Sequence, residues 1–105
     1  MEQALAAIAN PVRRRMLELV WDAERTPSDL AERLGLTRPA TSQHLRVLRD
    51  AGLVEARVEG GHRYYAVREE QLQALREFLE GFWGSRLGRL RTAAEQHQRR
   101  SRGDS

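Results

Sequence analysis

A stripe of side chains with the spacing i, i+3, i+4, i+7 and i+10 runs along residues 38–51. It consists of Pro39, Ser42, Gln43, Arg46 and Arg49. On an α-helix this spacing places all five on one face. Glutamine can bind adenine, and arginine guanine, through two hydrogen bonds each, while serine can bond a base or a phosphate. The stripe therefore indicates a helix that reads DNA bases, although an ordinary solvated helix face produces the same pattern.

Three further residues of this segment belong to the set expected to contact DNA. Arg38 stands at the helix start, where free backbone N–H groups also favour phosphate. Thr41 and His44 complete the set, although Thr41 shares the inner stripe with Leu45 and Leu48, and His44 lies beside that stripe. As a metal ligand His44 would need partners, and the other histidines, at positions 62 and 97, form no recognisable ligand spacing. We expect His44 to contact the core and phosphate.

Two short helices joined by a tight turn are predicted to hold this segment in place. Thr26 and Pro27 are typical of a helix start, and Gly35 of a helix end. Thr37 is predicted to cap the next helix, which Gly52 closes. This is the layout of a helix-turn-helix, whose second helix enters the major groove.

A β-hairpin follows, because residues 54–59 and 62–67 alternate in polarity around Gly60-Gly61. The simplest register pairs Val58 with Arg63, Ala56 with Tyr65 and Val54 with Val67, so that Tyr65 and Val67 point inward while His62 and Tyr64 point outward. The hairpin residues expected to contact DNA are Arg57, His62, Arg63 and Tyr64. An arginine at a hairpin tip suits the DNA backbone or the minor groove. The alternative is a solvated hairpin whose charges protect its edge.

Further helices are predicted on both sides of this region. Residues 2–9 form a short helix, and Asn10-Pro11 starts the next, which opens with three arginines at positions 13–15. Arg13 is assigned to DNA phosphate, with bracing of the fold as the open alternative. Residues 69–98 have a long helical pattern, and residues 99–105 form a polar, flexible tail. The candidates for a dimer core, or for a small hydrophobic effector site, are Trp21, Leu72, Leu75, Phe78, Leu79, Phe82, Trp83 and Leu87.

Composition narrows the possible functions. The 105 residues carry a net charge of +3, and they suit one soluble domain. The absence of cysteine rules out disulfides and thiolate metal sites. No apolar run approaches the roughly 20 residues of a membrane span, and the N-terminus does not resemble a secretory signal. No nucleophile–base set or phosphate loop is evident. We therefore expect a cytoplasmic protein that is not an enzyme and needs no cofactor.

Several runs together strongly resemble the ArsR-type winged-helix repressors. They are Ala9-Asn10-Pro11-Val12-Arg13, Leu30-Ala31, Ser42-Gln43-His44-Leu45-Arg46-Val47-Leu48, Ala51-Gly52-Leu53-Val54 and Gly61-His62-Arg63-Tyr64-Tyr65. The resemblance implies a mainly α fold with a β-hairpin wing, and a homodimer built by the first and last helices. It also implies repression by blocking a promoter. Residues 24–30 hold no thiol and the last helix offers only His97 and scattered Glu, so metal sensing of the kind found in other members is not expected. The segment Phe82-Trp83-Gly84-Ser85-Arg86-Leu87, continued through Glu95, resembles a metal-independent branch of the family.

The sequence thus predicts a winged helix-turn-helix domain over residues 1–98, with residues 1–9 and 69–98 forming the dimer. The expected function is sequence-specific binding of double-stranded DNA at a near-palindromic operator. Two alternatives stay open: a winged-helix module that binds another protein, and a repressor gated by a small hydrophobic effector.

Overall fold

The computed structural model describes the backbone of residues 1–103 and the side chains of residues 1–84 and 86–98. The elements, in chain order, are α1 (Glu2–Ala9), α2 (Pro11–Asp22), α3 (Pro27–Leu34), α4 (Arg38–Asp50), β1 (Val54–Glu59), β2 (His62–Val67) and α5 (Glu69–Gly103). The chain divides into two compact units, Met1–Leu75 and the part that begins at Arg76. The predicted mainly α fold with a β-hairpin wing is confirmed.

The caps that define α2, α3 and α4 are those that the sequence predicts. The Asn10 side chain accepts hydrogen bonds from the backbone N–H groups of residues 12 and 13, at 2.8 and 3.2 Å. The Thr26 hydroxyl accepts from the N–H of Asp29 and the Thr37 hydroxyl from that of residue 40, both at 3.2 Å. Each cap precedes a proline in the first turn of its helix. These bonds satisfy N–H groups that have no partner within the helix.

Two glycines produce the sharp ends of the helix-turn-helix. Gly35 follows α3 with φ of 66°, and Gly52 follows the end of α4 with φ of 77°. In this left-handed region a Cβ atom is unfavourable, so glycine suits both positions. Beyond Gly52, the N–H of Leu53 bonds to the carbonyl of Leu48 at 3.0 Å. The chain thus turns from α4 directly into the hairpin.

The hairpin has the predicted register, with Val54 opposite Val67, Ala56 opposite Tyr65 and Val58 opposite Arg63. Tyr65 is buried and His62 is exposed, as the register predicts, whereas Val58 is 69% exposed. It shares a face with buried Val54, but it lies near the hairpin tip, where the helices no longer cover that face.

A single residue of the α2–α3 linker extends the sheet. Arg25 forms a β-bridge with Tyr65, in which each residue's N–H bonds to the other's carbonyl, at 3.1 and 2.8 Å. The bridge joins the base of the hairpin to the start of α3. It therefore holds the wing beside the helix-turn-helix.

The core of the first unit lies between the helices and the base of the hairpin. Its largest fully buried side chains are Met16, Leu30, Thr41, Leu45, Leu48, Leu53 and Val54. Leu75 also belongs to this core, with only 5% of its surface exposed. Leu75, a candidate for the dimer core, is thus packed within its own unit and has almost no surface to offer a second copy.

The second unit consists of α5 from Arg76 onward. Its large apolar side chains at positions 78, 82, 83, 87 and 90 are exposed. The rings of Phe82 and Trp83 meet edge to face, with centroids 5.6 Å apart. The helix continues to Gly103, past the predicted end at residue 98. The tail's flexibility stays a prediction, since residues 104–105 and the side chains of residues 99–103 lie outside the described part.

Candidate nucleic-acid interface

The outward stripe of α4 is open to solvent as the spacing predicts. Pro39, Ser42, Gln43, Arg46 and Arg49 are all exposed, and so is Arg38 at the helix start. The opposite face of the same helix is buried at Leu45 and Leu48. The helix therefore leaves its hydroxyl, amide and guanidinium groups uncovered.

Thr41 must be removed from the residues expected to contact DNA. Its side chain has no exposed surface, and its hydroxyl donates to the carbonyl of Thr37 at 2.8 Å. Since the hydroxyl is already bonded inside the core, it is not accessible to a base or a phosphate. Thr41 instead anchors the first turn of α4 to the unit.

An open cleft of about 550 Å³ lies between the start of α3, the outward face of α4 and the wing. It is lined by Thr26, Pro27, Ser28, Arg38, Ser42, Arg46, Arg49, Asp50, Gly61, His62, Arg63 and Tyr65. Four of these residues are arginines and one is an acid, so the cleft is strongly positive. The structure thus brings the predicted residues of α4 together with His62 and Arg63 of the wing.

The charges of this cleft are mostly unpaired. Within the described residues, Arg46, Arg49 and Arg63 form no hydrogen bond or ion pair with the rest of the chain. Arg38 differs, because its guanidinium donates to the hydroxyl of Ser28 in the first turn of α3. Four like charges around one cleft repel each other, and a row of phosphates relieves this repulsion. The cleft is therefore suited to a polyanion.

Arg57 and Tyr64 do not line the cleft. Arg57 pairs with Glu24 at 2.7 Å and also with Glu59, and its guanidinium lies 4.7 Å from the centre of the Tyr64 ring. The hydrogen bond from Arg57 lowers the pKa of the Glu24 carboxyl below its ordinary value of 4.5. Because two carboxylates already balance this guanidinium, Arg57 is less suited to bind phosphate than Arg63 is.

Arg13 braces the fold, which is the alternative that the sequence left open. Its Nε donates to the carbonyl of Ala7 at 2.7 Å and its Nη2 to that of Ala6 at 3.2 Å. Arg14 Nη1 bonds to the carbonyls of Ile8 and Ala9, at 2.7 and 3.1 Å. The two side chains together satisfy the last four carbonyls of α1, which have no partner within the helix. The expectation that Arg13 lies on phosphate is corrected, since these bonds engage its guanidinium.

His44 is half-buried beside Arg13. Its Nδ1 lies 3.4 Å from Nη1 of Arg13, and this contact joins α4 to α2. Both side chains are half-buried, and the core and phosphate contacts expected of His44 stay predictions. Among the described residues, no group of three His, Cys, Asp or Glu side chains could hold a metal ion.

A cluster of charges at the start of α3 was missed in the sequence. Arg25 donates to the carbonyl of Leu19 at 2.8 Å and pairs with Asp29 at 3.1 Å, and Arg33 bonds the same carboxylate at 3.0 Å. The spacing i, i+4, i+8 of Arg25, Asp29 and Arg33 is the signal that could have revealed it. The cluster ties α2 to α3, so it positions one wall of the cleft.

This cluster makes stability depend on pH. The hydrogen bond from Arg25, followed by that from Arg33, lowers the pKa of the Asp29 carboxyl below its ordinary value of 3.8. A carboxyl whose pKa is lowered by folding stabilises the folded state at pH values above its pKa in the unfolded chain. This contribution is lost as the pH falls through its pKa in the folded protein. We expect the free energy of unfolding of Asp29→Asn to fall less than that of the wild type as the pH drops below about 4. Urea unfolding at about pH 3 and pH 6 measures this, and an unchanged acid dependence would contradict it.

Helices α3 and α4 and the hairpin after them are arranged as in winged helix-turn-helix DNA-binding proteins. A family model described as "Bacterial regulatory protein, arsR family" matches residues 10–56. The HTH-type transcriptional regulator Rv2034 of Mycobacterium tuberculosis is 39% identical over 82 residues, which cover 78% of this chain and 77% of that protein. The chain belongs to the ArsR family of bacterial regulatory proteins, as its resemblance predicted.

Two further proteins illustrate this relationship. The transcriptional repressor SdpR of Bacillus subtilis is 32% identical over 73 residues, which cover 70% of this chain and 81% of that protein. A solution structure shows the homodimeric winged helix-turn-helix DNA-binding domain of Mb0332 from Mycobacterium bovis, a possible ArsR-family transcriptional regulator. It is similar to this chain with a TM-score of 0.66 and 31% identity, and the match covers 76% of this chain and 77% of that one.

Proposed function

We propose that this protein is a cytoplasmic homodimeric repressor, with no catalytic activity and no metal, that binds a near-palindromic operator. The observation that supports the proposal most is the uncovered face of α4 beside a cleft with four arginines. Gln43 and Arg46 stand at the centre of that face and read bases, while Arg38, Arg49 and Arg63 hold the backbone. His62 at the wing tip contacts the backbone or minor groove.

The homodimer places two such faces on one side of the duplex. The Mb0332 domain is homodimeric, and in this chain Trp21, Phe78, Phe82, Trp83 and Leu87 leave apolar surface that a second copy can cover. Leu72 and Leu79 are partly exposed and extend this set. Two-fold symmetry then requires half-sites about one helical turn apart.

Repression is the proposed direction of regulation, because SdpR is a repressor and a protein that lies across a promoter blocks polymerase. Transcription in vitro from a promoter that carries the selected site measures the direction. A fall in transcript as the protein is added supports repression, and a rise would establish activation instead.

Selection of duplexes from a random pool tests DNA binding, symmetry and spacing together. We expect a near-palindrome, and we expect Gln43→Ala to lower the affinity for it by about tenfold, because one bidentate base contact is lost. Fluorescence anisotropy with the selected duplex and with variants at each position measures both effects. Arg68→Ala is the matched control, since Arg68 is a partly exposed arginine outside the cleft. Gln43→Ala with unchanged affinity and preference would show that another face reads the bases.

A protein-interaction module is the second candidate, because the neighbouring aromatic side chains of Phe82 and Trp83 are both exposed. Size-exclusion chromatography and the selection separate the two. A dimer that selects a palindrome supports the repressor, whereas a monomer that enriches no sequence supports the module. A small hydrophobic effector would add gating to the repressor, and it would show as a thermal shift with apolar compounds.

A further inference from the structure

One arginine connects the end of α1 to the helix that reads DNA. The Arg13 guanidinium bonds to the carbonyls of Ala6 and Ala7 in the last turn of α1, and its third nitrogen lies 3.4 Å from Nδ1 of His44 on α4. The carbonyl bonds leave Nη1 as the nitrogen that faces the histidine. His44 is adjacent in sequence to Gln43, which belongs to the outward stripe of α4.

This contact determines which nitrogen of His44 carries the proton. A guanidinium donates hydrogen bonds and cannot accept them. Nδ1 must therefore accept from Arg13, so the neutral ring carries its hydrogen on Nε2. The same bond restricts rotation of the imidazole, because a rotated ring would lose its partner.

The second ring nitrogen is accessible. Within the described residues, Nε2 of His44 has no hydrogen-bond partner. In the described residues that are not exposed, every side-chain nitrogen or oxygen that is itself buried does have a partner. Since His44 is a half-buried residue, its Nε2 must reach the solvent. The ring therefore presents an N–H donor from the flank of the reading helix.

We propose that Arg13 is a positioning residue for DNA binding. It holds His44 in the Nε2–H form and directs that N–H to a phosphate beside each half-site. The phosphate contact rests on the proposed function, whereas the fixed tautomer is a property of the free protein. Arg13 would then act on DNA through His44, without touching DNA itself.

The tautomer is measured by ¹⁵N–¹H correlation of the histidine rings in the free protein at alkaline pH, where imidazole is neutral. In the wild type we expect Nδ1 of His44 to give the signal of a pure acceptor. In Arg13→Met we expect this signal to shift toward that of exposed His62, which reports a mixture of tautomers. Arg14→Met is the matched control. It removes the same charge and two α1 caps but does not contact His44, so the His44 signal should not change.

DNA binding supplies the second readout. Arg13→Met and His44→Asn are each expected to lower affinity for the selected duplex by about five- to tenfold, as for one hydrogen bond to a charged group. The double variant should lose no more than either single one, because both remove the same contact. His44→Gln places an N–H near the position of Nε2, so it should bind within about twofold of the wild type.

The outcomes separate this inference from the proposed function. A wild-type protein that binds the selected duplex with His44 in the Nδ1–H form would overturn the role of Arg13 alone. Equal loss of affinity in Arg14→Met and Arg13→Met would overturn it too, because the effect would then come from charge or from the stability of α1. A wild-type protein that binds no duplex would overturn the proposed function and the phosphate contact with it.

Discussion

Replacing Leu48 by alanine is expected to lower the free energy of unfolding by roughly 2–5 kcal/mol. Leu48 has no exposed surface and lies in the core with Met16, Leu30 and Leu45. Alanine would remove apolar contacts and leave a cavity that the surrounding helices fill only in part. Small domains have net stabilities of about 5–15 kcal/mol, so this loss is a large share of the total. Urea unfolding followed by circular dichroism measures it.

The neighbouring residue provides the control for this prediction. Arg49 follows Leu48 on α4, but it is exposed and lines the cleft. Arg49→Ala should change stability by less than about 0.5 kcal/mol and should weaken DNA binding. Leu48→Ala, studied at a temperature where it is folded, should keep the preference for the selected site. If the two variants showed the opposite effects, the assignment of the two faces of α4 would be wrong.

Replacing Arg46 by alanine should produce the largest loss of specificity. Its guanidinium is exposed at the centre of the outward stripe of α4, with no partner in the described part of the chain. A bidentate contact to guanine contributes about 1–3 kcal/mol of discrimination, which corresponds to roughly 5- to 150-fold in affinity. Preference at one position of each half-site should disappear, while binding to unrelated DNA should change little. Competition binding against single-base variants of the selected duplex measures this.

Arg63 offers the contrasting result, because we place it on the DNA backbone. Arg63→Ala should weaken the binding of all duplexes alike and reduce the salt dependence of binding by about one unit per lost contact. Arg68 lies outside the cleft, so Arg68→Ala should leave both the specificity and the salt dependence of binding nearly unchanged. If Arg46→Ala reduced all affinities evenly and Arg63→Ala erased a base preference, the roles of helix and wing would be exchanged.

The local elements were predictable because their signals are local. Asn10, Thr26 and Thr37 cap helices with their own side chains, so the helix starts could be predicted from single residues. The hairpin register followed from the two-residue Gly60-Gly61 turn, since both glycines adopt the positive φ that this turn requires. The exposed outward stripe of α4 followed from helical periodicity alone.

The roles of the individual arginines were not predictable in the same way. Arg13, Arg57 and Arg63 carry the same side chain, and the sequence assigned all three to DNA. In the structure Arg13 bonds to the carbonyls of α1, Arg57 is balanced by two carboxylates, and only Arg63 faces the cleft without a partner among the described residues. Glu24 is distant from Arg57 in the chain, and the carbonyls of α1 come within reach of Arg13 only because the chain turns at Asn10, so no spacing rule identifies these partners.

The sequence by itself determined where each helix and strand begins and which face of α4 is polar, because caps, turns and periodicity act over a few residues. Tertiary structure decided which charges remain available for DNA, because the packing of the elements sets whether a carbonyl or carboxylate of another element reaches a guanidinium. It also decided that the hydroxyl of Thr41 is bonded inside the core and that Leu75 is packed in its own unit. The arginine-lined cleft is a property of that arrangement, since α3, α4 and the wing each contribute part of its wall.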